Sequence, residues 1–291
     1  LKIKIKLGGK NMTTAIEFMF APFVVCLLLI GINIYFGIHV IKREIIFIDI
    51  ALAQIAALGA TIATITHLAG HEHAELSLAG YIFGIGFTTF AALIFTILKS
   101  RKLPIPLESL IGIAYAVAAT GAVILLDKAA GGDVHVHEMV AGSILWVTWK
   151  QILELFIVFS LIGFFHYIFR NKFIPMTDTY NNKNSSYSFL WDFLFYTTFG
   201  IAVVHSVRVG GILTVFAFLI IPASISALFS KSWLSRILIG WGLGTIVTAL
   251  GLYLSWTMDV PSSPTVILFL GVFLLLTILA KSLGLVKTST R

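Results

Sequence analysis

Charge is the first thing this chain is short of. Asp, Glu, Lys and Arg make up 11% of its 291 residues, against about 25% in soluble domains. The hydrophobic share is 58% and the mean hydropathy +1.00, too apolar for one water-soluble core. Cysteine is nearly absent: Cys26 stands alone in an apolar run, which excludes a disulfide framework and a thiolate metal site. There is no Gly-x-x-x-x-Gly-Lys-Ser/Thr loop, no His-Glu-x-x-His and no Gly-rich nucleotide fingerprint after a strand, so the chain carries no ATPase of its own. No repeat marks two inverted halves, which weighs against a self-sufficient secondary transporter. The net charge of +7 is no nucleic-acid signal, because the basic residues sit at the ends of apolar runs, as membrane orientation requires.

What is present is a series of membrane-length runs, at about 18–40, 45–66, 77–98, 107–127, 149–169, 191–208, 210–229, 234–256 and 264–283. At about 20 residues per span, they predict an all-α polytopic membrane protein with about nine transmembrane helices, or eight if the sixth is short or re-entrant. The weakest division is the one at Arg208–Gly210. Residues 1–17 form an N-terminal extension without assigned function, 18–284 a single transmembrane domain and 285–291 a tail. The chain opens on LKIKIKLGGK, with Met12 shortly after, and an early or non-standard start is expected there. One set of connections holds Lys42, Arg43, Lys99, Arg101, Lys102, Arg170, Lys172, Lys183, Lys231, Arg236, Lys281, Lys287 and Arg291. This set is expected on the cytoplasmic side, with the N-terminus outside and the C-terminus inside.

Six of the eight histidines fall at the expected outer face. The segment HLAGHEHAE presents His67, His71, His73 and Glu75, and DVHVHE presents Asp133, His135, His137 and Glu138. His67 and His71 share a face if the helix continues that far; in extended chain Asp133, His135 and His137 alternate onto one side. Imidazole with carboxylate suits zinc, and with less preference manganese or iron. Two solvated polar loops are the competing explanation. Within the runs, Asp49 and Gln54 lie on FIDIALAQIAALGA, and an ionisable group in a span marks a path or a structural pair. His205 is placed with them on the path. Glu154 and Asp192 read as acids near span ends, and Glu108 as an acid complementing a helix dipole. In VGGILTVFAFLIIPAS, Gly210 and Gly211 permit close helix approach, and Pro222 removes a backbone donor and acts as a hinge.

Four segments together resemble the membrane permease of bacterial zinc/manganese/iron ABC importers. They are Lys42-Arg43 with ALAQIAALG at 51–59, LESLIGIAYAVAATGAVILL at 107–126, VGGILTVFAFLIIPASISA at 209–227 and DVPSSPTVIL at 259–268. The third is the most specific. Two departures stand out: Gln54 occupies the place of a family histidine, and Asp49 lies one position early. The resemblance implies a permease subunit in the bacterial plasma membrane. It has no intrinsic cofactor; its cargo is a divalent transition metal, Zn2+ foremost, and ATP is bound by a partner. The implied partners are a cytoplasmic ABC ATPase dimer, an extracytoplasmic metal-binding protein and a second permease chain. The polar segment RNKFIPMTDTYNNKNSSYS and the loop Ser230–Arg236 are the candidate ATPase contacts. Competing readings are an ATP-independent cation carrier or channel with a His-rich outer mouth, a membrane metalloenzyme, and an importer of haem or a metal chelate.

Overall fold

The structure, a computed structural model, describes residues 12–66, 78–101, 103–127, 144–180 and 188–284. Its helices are α1 (Met12–Arg43), α2 (Ile48–Ile65), α3 (Leu78–Ser100), α4 (Leu107–Asp127), α5 (Trp149–Ile168), α6 (Arg170–Asp178), α7 (Phe189–Gly210), α8 (Ile212–Phe229), α9 (Trp233–Met258) and α10 (Ser262–Ser282). A 3-10 turn at Ile144–Trp146 precedes α5. The described residues contain no strand. Among the described residues eight helices are long and apolar enough to cross a membrane, and α2 is a shorter apolar helix. The nine apolar runs thus correspond to α1–α5 and α7–α10. The polar segment after the fifth run contains a further helix, α6, of nine residues. The first helix begins at Met12.

Local chemistry sets the helix ends. Thr148 and Gln151 form a capping box at the start of α5: the Gln151 amide donates to Thr148 Oγ1, and Gln151 Oε1 accepts from the Thr148 amide at 2.8 Å. The end of α1 is closed by Glu44 in the left-handed region (φ 56) and by a bond from the Ile45 amide to the Val40 carbonyl. That is a Schellman-type stop in a position that favours glycine. A single residue, Gly211 (φ 75, ψ 160), joins α7 to α8. Within the spans, hydroxyls of Thr61, Thr88, Thr96, Thr198, Ser206 and Thr277 donate to the carbonyl four residues earlier. This satisfies groups that a bilayer leaves without water.

The packing is organised around α1, which lies against α5, α6, α7, α8 and α9. On one side α2 packs with α3, α4 and α7; on the other α8, α9 and α10 pack together. Helices cross closely where side chains are missing. A Cβ at Gly37 of α1 would run into the Leu219 carbonyl of α8. Gly200 of α7 faces the Thr88 methyl, and at Gly251 of α9 a Cβ would stand 3.0 Å from Val266 Cα. Such approaches supply the dispersion that holds helices together where lipid offers no hydrophobic drive. Pro222 is buried inside α8, and its ring lies 3.6 Å from where a Cβ at Gly244 of α9 would stand.

Gly37→Ala is therefore expected to force α1 from α8 at a cost of about 1–3 kcal/mol. Gly86→Ala, which adds a methyl into open space, is expected to leave stability level or slightly raised. Thermal unfolding of the two variants in detergent checks the contrast.

Candidate functional site

Polar side chains inside this bundle concentrate at the end where Arg43 and Lys99 lie. On α1, Tyr35, His39 and Arg43 recur every four residues and share one face. Each meets a different element. Tyr35 Oη and His166 Nδ1 of α5 are 2.9 Å apart, and His166 Nε2 lies 2.8 Å from Thr198 Oγ1 of α7. His39 Nδ1 shares a 2.6 Å bond with Thr177 Oγ1 of α6. Arg43 Nε donates to the same Thr177 oxygen at 2.9 Å, and Nη1 donates to Asp192 Oδ1 of α7 at 2.8 Å. The other oxygen of Asp192 accepts from Lys99 of α3 at 2.7 Å. The Arg43 guanidinium also lies 3.8 Å from the Phe195 ring centroid, a cation–π contact.

Arg43 is 1% exposed and Asp192 fully buried, so one buried carboxylate serves a buried guanidinium and the partly exposed Lys99. Beside this core, Lys42 pairs with Asp178 of α6, which also accepts from Trp233 Nε1 of α9 at 3.1 Å. Tyr180, just beyond α6, bonds to Tyr196 at 2.6 Å, and burial pushes its phenol up to about 12.

Next to that network lies a pair of acids. Asp49, in the first turn of α2, is buried, and its Oδ1 has no hydrogen-bond partner. Glu108, in the first turn of α4, accepts the Phe47 amide at 3.1 Å through Oε1, while its buried Oε2 has no partner. The two carboxyl groups are within electrostatic reach of each other. Both stand at helix N-termini, where the backbone dipole favours negative charge. Gln54 is half-buried. Five positions separate it from Asp49, which sets them about 140° apart around α2; a spacing of four would have aligned them.

Nearer the other end, Ala53, Ala56, Ala57 and Ala60 of α2 face Gly80, Tyr81 and Gly84 of α3 and Val204, Val207 and Arg208 of α7 across an open cleft of about 50 Å³. His205 is buried at this level. Its Nδ1 lies 2.8 Å from the Ile201 carbonyl, so it donates there, and Nε2 accepts the Tyr81 hydroxyl at 2.5 Å. Both ring nitrogens are thereby engaged. Arg208 lies 5.3 Å from the Tyr81 ring centroid. Gly211 forms the α7–α8 joint, and at Gly210 a Cβ would stand 3.2 Å from Leu29 Cδ1.

His67, His71, His73, Glu75, Asp133, His135, His137 and Glu138 lie outside the described residues. Among the described residues no three His, Cys, Asp or Glu gather as metal ligands. Glu108 and Asp192 do more than the sequence reading gave them, since Glu108 is tied to the α1–α2 connection at Phe47 and Asp192 to α1 and α3. The four-residue stripe Tyr35–His39–Arg43 in an apolar run was the signal available for the network.

The chain belongs to the ABC 3 transport family, which it matches over residues 15–281. It is 24% identical over 176 residues to a probable metal transport system membrane protein of Chlamydia muridarum, covering 60% of each chain. It is 25% identical over 173 residues to a protein of that name in Chlamydia trachomatis, covering 56% of this chain and 57% of the relative. An uncharacterized membrane protein of Synechocystis is 24% identical over 184 residues, with 62% and 64% covered. The chain thus spans about 60% of the length of the curated relatives it matches. Its fold is similar to PsaBC from Streptococcus pneumoniae, solved with a Fab: TM-score 0.72, 18% identity, 92% of this chain and 95% of that one. A second similar structure is an inward-facing transporter described as metal-chelate type: TM-score 0.64, 16% identity, 94% and 91% covered. The chain is a multi-pass membrane protein.

Asp192→Asn would leave the Arg43 and Lys99 charges poorly matched in a dry site, and is expected to cost about 3–5 kcal/mol. Asp178→Asn, at the partly exposed Lys42 pair, is expected to cost no more than about 1 kcal/mol. Unfolding midpoints in detergent measure both.

Proposed function

We propose that the chain is the permease subunit of an ATP-driven importer of a divalent transition metal, zinc foremost, with manganese or iron as the alternative cargo. The observation that carries this reading is the family match across residues 15–281. Relatives named as metal transport membrane proteins and the similarity to PsaBC support it. In this reading a second copy of the chain completes the path. An extracytoplasmic metal-binding protein delivers the ion, and a cytoplasmic ATPase dimer, which binds the ATP, drives the cycle.

By the positive-inside rule, the end carrying Lys42, Arg43, Lys99 and Arg170 faces the cytoplasm. Helix α6 lies there, with Arg170, Asn171, Lys172 and Pro175 exposed, and is the docking element for the ATPase. Loop Ser230–Arg236 lies beside it, where Trp233 reaches Asp178 of α6.

A hydrated dication leaving water needs oxygen or nitrogen groups held loosely enough to release it. Asp49 Oδ1 and Glu108 Oε2 are buried acceptors without partners, suited to receive such an ion near the inner end. Gln54 is a neutral neighbour on α2, and His205 adds a ligand only by giving up Tyr81. His67, His71, His73, His135 and His137, with Glu75, Asp133 and Glu138, act as capture groups at the outer mouth. Gly211 and Pro222 are the flexible points of α8.

The deciding experiment is metal uptake by vesicles containing the chain, with and without a partner ATPase and ATP, comparing zinc, manganese and iron. ATP-dependent uptake is expected; uptake without ATPase favours the carrier or channel. Asp49→Asn and Glu108→Gln are expected to lower uptake about tenfold or more at all metal concentrations, because each removes a carboxyl oxygen that can give up its proton to a dication. Replacing His71, His73, His135 and His137 by Ala is expected to lower uptake more at low metal than at high metal.

A further inference from the structure

Helix α6 is held to the bundle in two ways that differ in burial. One is the partly exposed Lys42–Asp178–Trp233 contact at its end. The other is internal. Phe173 is buried and stacks on His166 at 4.1 Å between centroids, and Thr177 is 2% exposed, with its hydroxyl shared by His39 and Arg43 of α1. Arg43 carries that contact to Asp192 of α7 and, through it, to Lys99 of α3. Arg43 is also the last residue of α1. The next residue, Glu44, sits in the left-handed region, and α2 with Asp49 begins at Ile48. One buried side chain therefore touches α6 and α7 and adjoins the joint that sets the first turn of α2.

We propose that Arg43, seated on Thr177, is the positioning residue that transmits displacement of α6 to the Asp49–Glu108 acid pair. This rests on the transport reading above and adds to it a route from the docking helix to the path. A rigid guanidinium fork makes directional bonds to Thr177 and Asp192 at once, which an ammonium cannot reproduce. When α6 shifts, the Thr177 hydroxyl draws the fork with it. The end of α1, the Glu44 turn and the start of α2 follow, because four residues of connection leave little slack. Arg43 is not a ligand for the ion; it acts through the placement of Asp49.

The test is reconstitution of the full chain with its partner ATPase and metal-loaded binding protein in vesicles. Zn2+ and Mn2+ serve as probes, and metal moved is measured per ATP hydrolysed. Thr177→Val keeps the side-chain shape and removes the hydroxyl. It is expected to leave ATPase binding and the metal-free hydrolysis rate at wild-type level, and to lower metal moved per ATP about tenfold, the worth of one charge-assisted hydrogen bond. Thr177→Ser is expected to restore the ratio to within about twofold, since it returns the hydroxyl.

An unchanged ratio in Thr177→Val overturns the proposal. So does a parallel fall of hydrolysis and uptake, which marks lost docking or folding, and so does failure of Thr177→Ser to restore coupling. If the wild-type chain moves metal with no ATPase present, the transport reading itself falls and takes this proposal with it. If the wild type is ATP-driven and Thr177→Val matches it, the proposal alone falls.

Discussion

A guanidinium taken out of water is tolerated only where other groups replace the solvent. Arg43 meets that requirement at the end of α1 through Nε, Nη1 and the aromatic faces around it, its buried Nη2 having no hydrogen-bond partner, and much of the architecture at that end follows from it. The short helix α6 must lie where Thr177 can accept from Nε. The first turn of α7 must offer Asp192. One acid between two cations leaves a net positive charge, and aromatic faces from Phe195 and Tyr196 close around the guanidinium. Elements α6 and α7 thus converge on one side chain of α1, and α3 joins through Lys99 on the same carboxylate, although apolar packing alone would let each slide.

The remainder of the bundle has no such anchor and is specified by shape. Its helices are apolar around most of their circumference, so hydrophobicity alone does not say which face turns inward. Small residues decide it. Gly37 admits the α8 backbone, Gly200 admits Thr88, and Gly251 admits α10. The hydroxyls that return to their own helix keep Thr and Ser from demanding partners across the interface. The division is a practical one: steric fit across most of the membrane depth, a dense polar network at one end, and only isolated inter-helix bonds such as Tyr81–His205 and Ser255–Ser262 elsewhere.

This division also explains what was legible in the sequence. Span positions could be read because the bilayer imposes length and apolarity on each segment independently. The joint could be located at Arg208–Gly210, because a glycine pair interrupts an otherwise continuous run; the structure places it one residue on, at Gly211. The polar network could not be read, since its members lie far apart in the chain: Arg43 and Asp192 are separated by 149 positions, His39 and Thr177 by 138. The stripe on α1 was visible, but nothing in it named its partners. Asp192 and Glu108 followed rules that hold for solvated helix ends, and Asp192 proved to be held by α1 and α3, Glu108 by the α1–α2 connection. Helix α6 was hidden by its polar composition. The Asp49–Gln54 spacing was legible, and its consequence, two faces of α2 instead of one, follows from helical geometry.

The α7–α8 joint has a consequence for how this chain can vary. Loops usually absorb insertions, because added residues only lengthen a path through solvent. Here the connection is one glycine with a backbone angle that other residues rarely adopt. One inserted residue would carry the register of α8 round by about 100° relative to α7. Phe218 and Leu219, now buried, would leave their seats, and the close approach at Gly37 would meet a side chain instead of a carbonyl. Length at this point is therefore as constrained as identity, and natural variation is expected to accumulate elsewhere in the chain.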